Sequence, residues 1–369
     1  MKLSRVYKYS WTAALSVVTI AAAVVIGTVV IILFPGMIPG ADSPIANRRF
    51  PVSLSDYAWA GQNDPLRGRP FSDPSKVFHM SDEWVKQPVK YESWAEGAEL
   101  AVVLDQQLYP AILPLIQEFG HKYGIKIAAI EGTCGTAAGA ALRKTADITG
   151  MCCAPGETDR LPGLKYHTVG IASVAIIVRK DNPANGISLD DARKMFMGKL
   201  TNWAKVKTTG FPSPDVQVKP VVRLHCKSRP GHWCLLLANA DLFSTRVIEV
   251  STIEDMLEQV SVIKGSVGYE TMWMVGRFRS AGRLKALKID GVAPGDNENL
   301  VKGKYTIYRT FNITSWDGRG VGKKKAGELV GYILANLDRV DPAFGIVTAA
   351  GLKKYGWKFN GSEVVGEPD

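Results

Sequence analysis

The sequence lacks the short motifs by which the common enzyme classes are recognised. It contains no Gly-x-Ser-x-Gly nucleophile elbow, no His-Glu-x-x-His zinc motif, no P-loop and no Rossmann glycine fingerprint. The adjacent thiols of Cys152 and Cys153 are nucleophiles in principle, but adjacency supplies neither a base nor an orienting group. We therefore predict a binding protein rather than an enzyme, and we assign no catalytic residue.

The sequence also lacks a clustered run of basic residues. Its net charge is +10, from 45 Lys and Arg against 35 Asp and Glu, but the excess is spread thinly along the chain. Nucleic-acid binding needs a basic stripe with interleaved aromatic residues, so we expect no nucleic-acid partner. An attraction for small anions, or for an acidic protein surface, stays open.

Charge is absent altogether from Trp11 to Phe34, a run of 24 mostly apolar residues. As a helix this run would rise about 36 Å, enough to cross a hydrocarbon core of about 30 Å. A cleaved signal peptide, the alternative, has a shorter apolar core of about 7 to 15 residues. We expect a single-pass transmembrane signal anchor at 11–34, with the basic residues 1–10 in the cytoplasm. The globular body would then lie on the periplasmic or extracellular side of the cell membrane.

Residues 35–96 lack a clear helical or strand period, and their proline-containing stretches indicate loops and turns. We predict an irregular linker between the anchor and the body. Trp59, Trp84 and Trp94 are too many large aromatic residues for a free tether. Two alternatives remain, because the linker could pack on the body or dock to another membrane protein.

A regular alternation of strand-like and helix-like segments begins at Glu99. Short apolar runs predict the strands, and the segments between them have a helical period. The predicted strands are Leu100–Leu104, Ile125–Ile130, Asp147–Met151 and Ala172–Val178, and the predicted helices are Pro110–Tyr123 and Ala137–Lys144. This order indicates an α/β fold with parallel βαβ units. Ligands of such folds bind beyond the carboxyl ends of the strands, which singles out loops 105–108, 133–135, 151–155 and 225–234.

Several segments resemble the phosphate-type periplasmic solute-binding proteins of ABC transporters. Asp181-Asn-Pro, together with the Phe196-x-Gly-Lys-x-x-x-Trp203 stretch, resembles the entry to that family's second lobe. Further segments resemble the family in the expected order, namely Ala146-Asp-Ile, Gly265-Ser-Val-Gly-Tyr269, Lys304 to Arg309, 328–334 and 350–356. Each motif alone is weak evidence for the family, but together the motifs follow the family's order and spacing. The similarity spans about residues 97–360.

The resemblance implies an α/β, two-lobed periplasmic-binding-protein-like fold with two crossovers, preceded by the N-terminal transmembrane helix. Lobe one would hold 97–175 plus 275–369, and lobe two would hold 178–272. Ligand would bind in the cleft and shift the hinge toward a closed state by differential affinity. The partners that this implies are a small anion and an ABC permease that receives the closed form.

The resemblance also implies a phosphate site made of Ser and Thr hydroxyls, helix N-terminal N–H groups, an Arg and an Asp. The equivalent loops differ here, because amides and thiols stand where the family has hydroxyls. Arg229 would substitute for the family's Arg, and Gly231 matches the family directly. The expected ligand-binding residues are Gln106, Gln107, Thr133, Cys134, Asp147, Cys152, Cys153, Arg229, Gly231 and His232.

All five cysteines lie in three of these loops, and two histidines lie beside them. Structural disulfides are the first interpretation, because exported proteins retain disulfides. The pairs would be Cys226 with Cys234, and Cys134 with Cys152 or Cys153. The second interpretation is a soft transition metal, since thiolate and imidazole suit zinc, Cu(I) or iron. Its ligands would come from Cys134, Cys152, Cys153, His225, Cys226, His232 and Cys234. No other cofactor is expected.

The function that the sequence favours is a membrane-tethered receptor that delivers phosphate or a related oxyanion to an ABC permease. A second hypothesis is a repurposed binding-protein fold that serves as a fixed accessory subunit of a larger membrane complex. The expected anchor, the linker tryptophans and the altered loops favour it. A third hypothesis is a metal or redox protein that uses the cleft cysteines.

Overall fold

The computed structural model describes residues 66–68, 70–210, 213–224, 231–278, 280–317 and 321–369. The predicted cytoplasmic N-terminus, the predicted anchor at 11–34 and the linker up to residue 65 lie outside these ranges. Among the helices of the described ranges, none is long and apolar enough to span a membrane.

The described part of the linker is more regular than predicted. It contains the short helix α1 at Asp82–Lys86 and a 3-10 turn at Ser93–Ala95. Helix α1 begins where the Ser81 hydroxyl accepts a hydrogen bond from the Trp84 N–H at 3.3 Å, with two acidic residues in the first turn. Five residues are too few to show a helical period in the sequence.

Lys144 fixes this linker helix to the body. Its ammonium donates to the carbonyl oxygens of Trp84, Val85 and Gln87 at 2.6, 3.0 and 2.8 Å, at the end of α1. The Trp84 indole in turn donates to the Leu142 carbonyl at 2.9 Å. Of the two alternatives for the linker, Trp84 therefore follows the first and packs on the body.

The strands begin with the short apolar segments that the sequence predicts. The strands are β1 Leu100–Asp105, β2 Ile127–Gly132, β3 Ile148–Met151, β4 Leu164–Arg179, β5 Ala184–Ile187, β6 Thr208–Gly210, β7 Lys219–Val222, β8 Ile248–Glu249, β9 Ser266–Thr271, β10 Leu284–Ile289, β11 Tyr308–Trp316, β12 Val347–Thr348, β13 Lys358–Asn360 and β14 Glu363–Gly366. Strand β4 is 16 residues long and begins earlier than its apolar core predicts.

The helices alternate with the strands in the first half of the body. After α1 they are α2 Tyr109–Tyr123, α3 Cys134–Leu142, α4 Leu189–Phe196, α5 Ile253–Val262, α6 Met272–Arg277, α7 Asn297–Val301, α8 Lys324–Ala335 and α9 Ala349–Lys354. Helix α2 ends at Gly124, whose φ of 63° is the left-handed conformation that glycine adopts without steric cost. Its buried residues recur at helical spacing and face the sheet, as the sequence pattern predicts.

The sheet combines parallel and antiparallel pairs. Strand β1 pairs in parallel with β2 and with β3, so the predicted βαβ units are confirmed there. Strand β11 then runs antiparallel to both β3 and β4, and β4 pairs antiparallel with β9 and β10. The main order is β2-β1-β3-β11-β4-β10-β5-β6, with β7, β8, β9 and β12 attached beside it.

Two apolar cores lie along this sheet, as a two-lobed α/β fold requires. The first is built on β1, β3 and helices α2, α3 and α8, and the second on β7, β9 and helices α4 and α5. Strand β4 contributes to both, because Val169 and Ala172 belong to the first core and Val174 to Val178 belong to the second. One continuous strand therefore connects the two cores. The predicted residue boundaries of the lobes stay a prediction.

Candidate functional site

The predicted ligand loops meet at one edge of the sheet. Strands β1, β2 and β3 are parallel, so the residues after their carboxyl ends lie side by side. Asp105 organises the first loop, because its Oδ1 accepts hydrogen bonds from the N–H groups of Gln107 and Leu108 at 2.8 and 2.9 Å. Its Oδ2 accepts from the Cys134 thiol of the second loop at 3.2 Å.

Three thiols form the centre of this edge. Cys134 is the first residue of α3, which Thr133 caps with its hydroxyl, and Cys152 and Cys153 follow β3. The Cys134 Sγ lies 2.9 Å from the Cys152 Sγ and 3.7 Å from the Cys153 Sγ, and all three residues are buried.

The structure corrects the prediction of a Cys134 disulfide. A disulfide bond requires sulfur atoms about 2.05 Å apart. Cys134, Cys152, Cys153 and Cys234 are instead free, buried thiols. The other predicted pair, Cys226 with Cys234, involves a residue outside the described ranges.

Glu270 forms the opposite wall of the site. Its Oε1 accepts a hydrogen bond from the Gln107 amide at 3.0 Å, and its Oε2 lies 3.2 Å from Arg223 Nη1. The Thr271 hydroxyl donates to the Gln107 carbonyl oxygen at 2.7 Å, so β1 and β9 are joined through one amide side chain. Burial alone would raise the pKa of Glu270. His232, Arg223 and Arg309 outweigh that burial and hold the pKa well below its ordinary value, so the carboxylate is ionised.

Arg309 lies between the thiols and Glu270 with few partners of its own. Its side chain projects from β11, it is 2% exposed, and its Nη2 lies 3.7 Å from the Cys153 Sγ. Its Nε and Nη1 have no hydrogen-bond partner within the described part of the chain. Because a buried polar group without a partner costs free energy, two unpaired donor atoms on a buried guanidinium indicate a ligand site.

His232 completes the cluster. It follows Gly231, the residue that precedes the 3-10 turn at His232–Leu235, and its Nδ1 lies 3.4 Å from Glu270 Oε1. Burial and the nearby Arg309 charge lower the pKa of His232. Its Nδ1 has no hydrogen-bond partner among the residues described.

Other predicted residues lie away from the unpaired Arg309 atoms. Thr133 is exposed and caps α3, and the Gln106 carbonyl accepts a hydrogen bond from Arg277 at 3.3 Å. Asp147 precedes β3, at the opposite end of that strand from the thiols, where it accepts from the Ala101 N–H at 2.8 Å and pairs with Lys323 at 3.3 Å. Its contacts are those of a structural carboxylate.

Some predicted residues cannot be placed. Arg229, His225 and Cys226 lie outside the described ranges. Cys234 is described, but it is not one of the three thiols whose sulfur atoms lie together.

Sequence reasoning missed the charged residues that complete the site. Arg223, Glu270 and Arg309 are each buried; the first two lie at or just beyond the ends of β7 and β9, and Arg309 is the second residue of β11. A single charge at the end of an otherwise apolar run was the available signal, since charged residues are rarely buried without a partner or a ligand. Their convergence depends on pairings between distant strands that the sequence alone does not specify.

Comparisons with known proteins agree with this architecture. The family model described as a PBP superfamily domain matches residues 91–313 of the chain. The phosphate-binding protein PstS 2 of Streptococcus pneumoniae serotype 4 is 35% identical over 75 residues. That alignment covers 20% of this chain and 25% of the relative, so the chain aligns with only a quarter of its length.

Two solved structures share the fold at low sequence identity. A candidate phosphate ABC transporter substrate-binding protein from Clostridium perfringens, solved with bound phosphate, superposes with a TM-score of 0.57 at 16% identity, covering 68% of this chain and 98% of that one. An ABC-type phosphate transport receptor from Vibrio cholerae gives a TM-score of 0.53 at 16% identity, covering 68% and 99%. The chain therefore belongs to the PBP superfamily and has the fold of its phosphate-type binding proteins.

Proposed function

We propose that this chain is an extracytoplasmic binding protein for a small oxyanion of the phosphate class, which it presents to the permease of an ABC transporter. The superfamily membership supports a binding role rather than an enzymatic one. The S. pneumoniae relative is a phosphate-binding protein, and the C. perfringens structure holds phosphate. The oxyanion, the permease and the extracytoplasmic location are carried over to this chain as parts of the proposal.

The observation that carries the proposal is the unpaired guanidinium of Arg309. Its Nε and Nη1 are two buried donors that lack acceptors among the described residues, and because their N–H bonds diverge, an anion would accept a hydrogen bond from one of them. No carboxylate of the described residues lies within ion-pair distance of this side chain. A bound oxyanion would provide a missing acceptor and the missing negative charge.

The neighbouring charges leave Arg309 available for a ligand. Glu270 is paired with Arg223, and both oxygens of Asp105 already accept hydrogen bonds from the chain. Burial removes competition from water, and this strengthens hydrogen bonds to an anion. The first N–H groups of α3 open onto the same edge of the sheet and add the partial positive charge of a helix N-terminus.

The thiols that replace hydroxyls affect selectivity. A thiol is a weaker hydrogen-bond donor than a hydroxyl, so the site distinguishes oxyanions mainly through Arg309 and through size. We therefore expect phosphate and arsenate, which share charge and shape, to compete for one site. Sulfate has no proton to donate to a site carboxylate, and it should bind more weakly.

Equilibrium dialysis of the reduced, phosphate-stripped protein against labelled phosphate tests this function. We expect saturable binding of one phosphate per chain, displaced by unlabelled arsenate and only weakly by sulfate. Absence of saturable binding for all three anions, with the protein shown to be folded by circular dichroism, would contradict the proposed function. Binding that is unchanged when Arg309 is replaced would contradict the assignment of the site.

A further inference from the structure

The thiols of Cys134, Cys152 and Cys153 form a compact cluster beside Arg309. The sulfur atoms of Cys134, Cys152 and Cys153 all lie within 4.8 Å of one another, and each residue is 6% exposed. They come from two separate segments, the start of α3 and the residues after β3, which the parallel strands bring together. Three sulfur atoms pointing at one another share few hydrogen-bond acceptors, so packing alone does not explain the arrangement.

Arg309 is a positively charged side chain beside the cluster. Arg309 Nη2 lies 3.7 Å from the Cys153 Sγ, and this atom is separate from the two guanidinium nitrogens that lack partners. A permanent positive charge beside the sulfur atoms compensates part of the negative charge that metal-bound thiolates carry.

We propose that Cys134, Cys152 and Cys153 bind a soft monovalent metal ion, with Cu(I) as the best-matched ion. Thiolate ligands select Cu(I) and zinc among the biological metals. Structural zinc sites almost always have four protein ligands, and in the described ranges no His, Asp or Glu atom joins the three sulfur atoms within 4.8 Å. Each thiol that becomes a ligand releases its proton to solvent as its metal–sulfur bond forms, and no electron is transferred.

Titration with Cu(I) tests the site in the full chain, reduced and kept free of oxygen. A chromophoric Cu(I) chelator competes for the metal, so its absorbance reports both stoichiometry and affinity. We expect one Cu(I) per chain in the unaltered protein and at least 100-fold weaker binding in Cys134→Ser, Cys152→Ser and Cys153→Ser. Cys234→Ser is the matched control, and it should retain the metal.

X-ray absorption of the Cu(I)-loaded, unaltered protein gives a second readout that does not depend on the folding of any variant. Three sulfur scatterers around copper are expected. Two sulfur scatterers, or a shell dominated by nitrogen and oxygen, would overturn the proposal. So would Cu(I) binding that survives all three cysteine substitutions, tighter binding of zinc than of Cu(I), or isolation of the native chain with a Cys134–Cys152 disulfide that resists reduction.

The same variants separate this proposal from the proposed function. Labelled-phosphate binding is measured on each, with and without Cu(I). Loss of the metal with retention of phosphate in Cys152→Ser supports a separate metal site. Retention of one Cu(I) per chain in a protein that binds no oxyanion would overturn the proposed function and leave the metal site standing.

Discussion

Arg160 and Arg309 are both buried, at 6% and 2% exposure, but the regions around them differ in one respect. Arg160 lies where the linker meets the C-terminal hairpin. Its Nη1 and Nη2 donate to the Glu363 carboxylate at 3.1 and 2.6 Å, and its Nε donates to the Ser72 hydroxyl at 3.1 Å. Arg309 lies beside the three thiols, with one sulfur contact and two nitrogens that lack partners among the described residues.

This difference distinguishes a guanidinium that stabilises the fold from a guanidinium that binds a ligand. A buried guanidinium whose donors are all used holds two parts of the chain together, because breaking any contact leaves a charge unpaired. A buried guanidinium with unused donors costs free energy in the unliganded protein, and a ligand recovers that cost on binding. The predictions below replace one group at a time to test this contrast.

The largest effect is expected for Arg160→Met, measured as the free energy of unfolding in urea. Removing the guanidinium leaves Glu363 buried without its partner, which costs about 3 kcal/mol. Phosphate affinity should change by less than about threefold, since the Arg160–Glu363 ion pair does not contact Arg309, Glu270 or the three thiols. Unchanged stability would show that the segment around Ser72 is not held by this pair.

Arg309→Met should have the opposite profile. Phosphate affinity falls by about 100-fold, or about 2.7 kcal/mol, because the two unpaired donors are lost. The free energy of unfolding of the unliganded protein should stay within about 1 kcal/mol or rise, because an incompletely paired charge leaves the interior. Arg309→Lys keeps the positive charge but loses the planar guanidinium with its several N–H donors, so this variant should bind phosphate with intermediate affinity. If Arg309→Met lowers the free energy of unfolding as much as Arg160→Met does, the contrast between a structural and a ligand-binding arginine is wrong.

A smaller effect is expected for Lys144→Met. The substitution removes the Lys144 donor from three carbonyl oxygens at the end of α1, of which, among the described residues, only that of Trp84 keeps a backbone donor, the Gln87 N–H. This loss costs about 2 kcal/mol of unfolding free energy. Limited proteolysis should then cut the linker near α1 faster than in the unaltered protein. Lys90→Met, on an exposed side chain of the same linker, is the control and should change neither measurement.

The smallest effect is a pH dependence that arises from His167. Its two ring nitrogens contact the Ser362 and Ser315 hydroxyls at 2.6 and 2.8 Å, and burial together with Lys165 lowers its pKa from 6.5. The unfolded chain therefore binds this proton at a higher pH than the folded chain does. Stability should be fully present above about pH 6.5 and decline as the pH falls through the folded pKa.

His167→Asn should flatten that decline in urea titrations between about pH 7 and pH 5. The exposed His121 provides the control, as His121→Asn should leave the slope unchanged. An equal decline in unaltered and His167→Asn proteins would assign the pH dependence to other groups.

Local sequence pattern predicted the first half of the body well and the site only in part. Apolar runs and helical spacing placed β1, α2 and β3 within a few residues, and the rule for parallel strands brought the thiol loops to one edge. The polar stretch Lys165 to Thr168 hid the first turn of β4 from any apolar pattern. The partners of that edge come from antiparallel strands far along the chain, so neither Glu270 nor Arg309 could be assigned to it.

The state of the thiols was also beyond the sequence. Cys134 and Cys152 are close enough in the fold for either a bond or a shared ligand, and the choice depends on side-chain positions that spacing does not determine. The sequence did identify the set of residue types from which the metal proposal is built.

The most direct test is a crystal structure of the reduced protein grown with phosphate. The account predicts a tetrahedral anion with an oxygen about 3 Å from Arg309 Nε or Nη1. Phosphate bound elsewhere on the protein, with Arg309 Nε and Nη1 contacted only by water or by the chain itself, would contradict it.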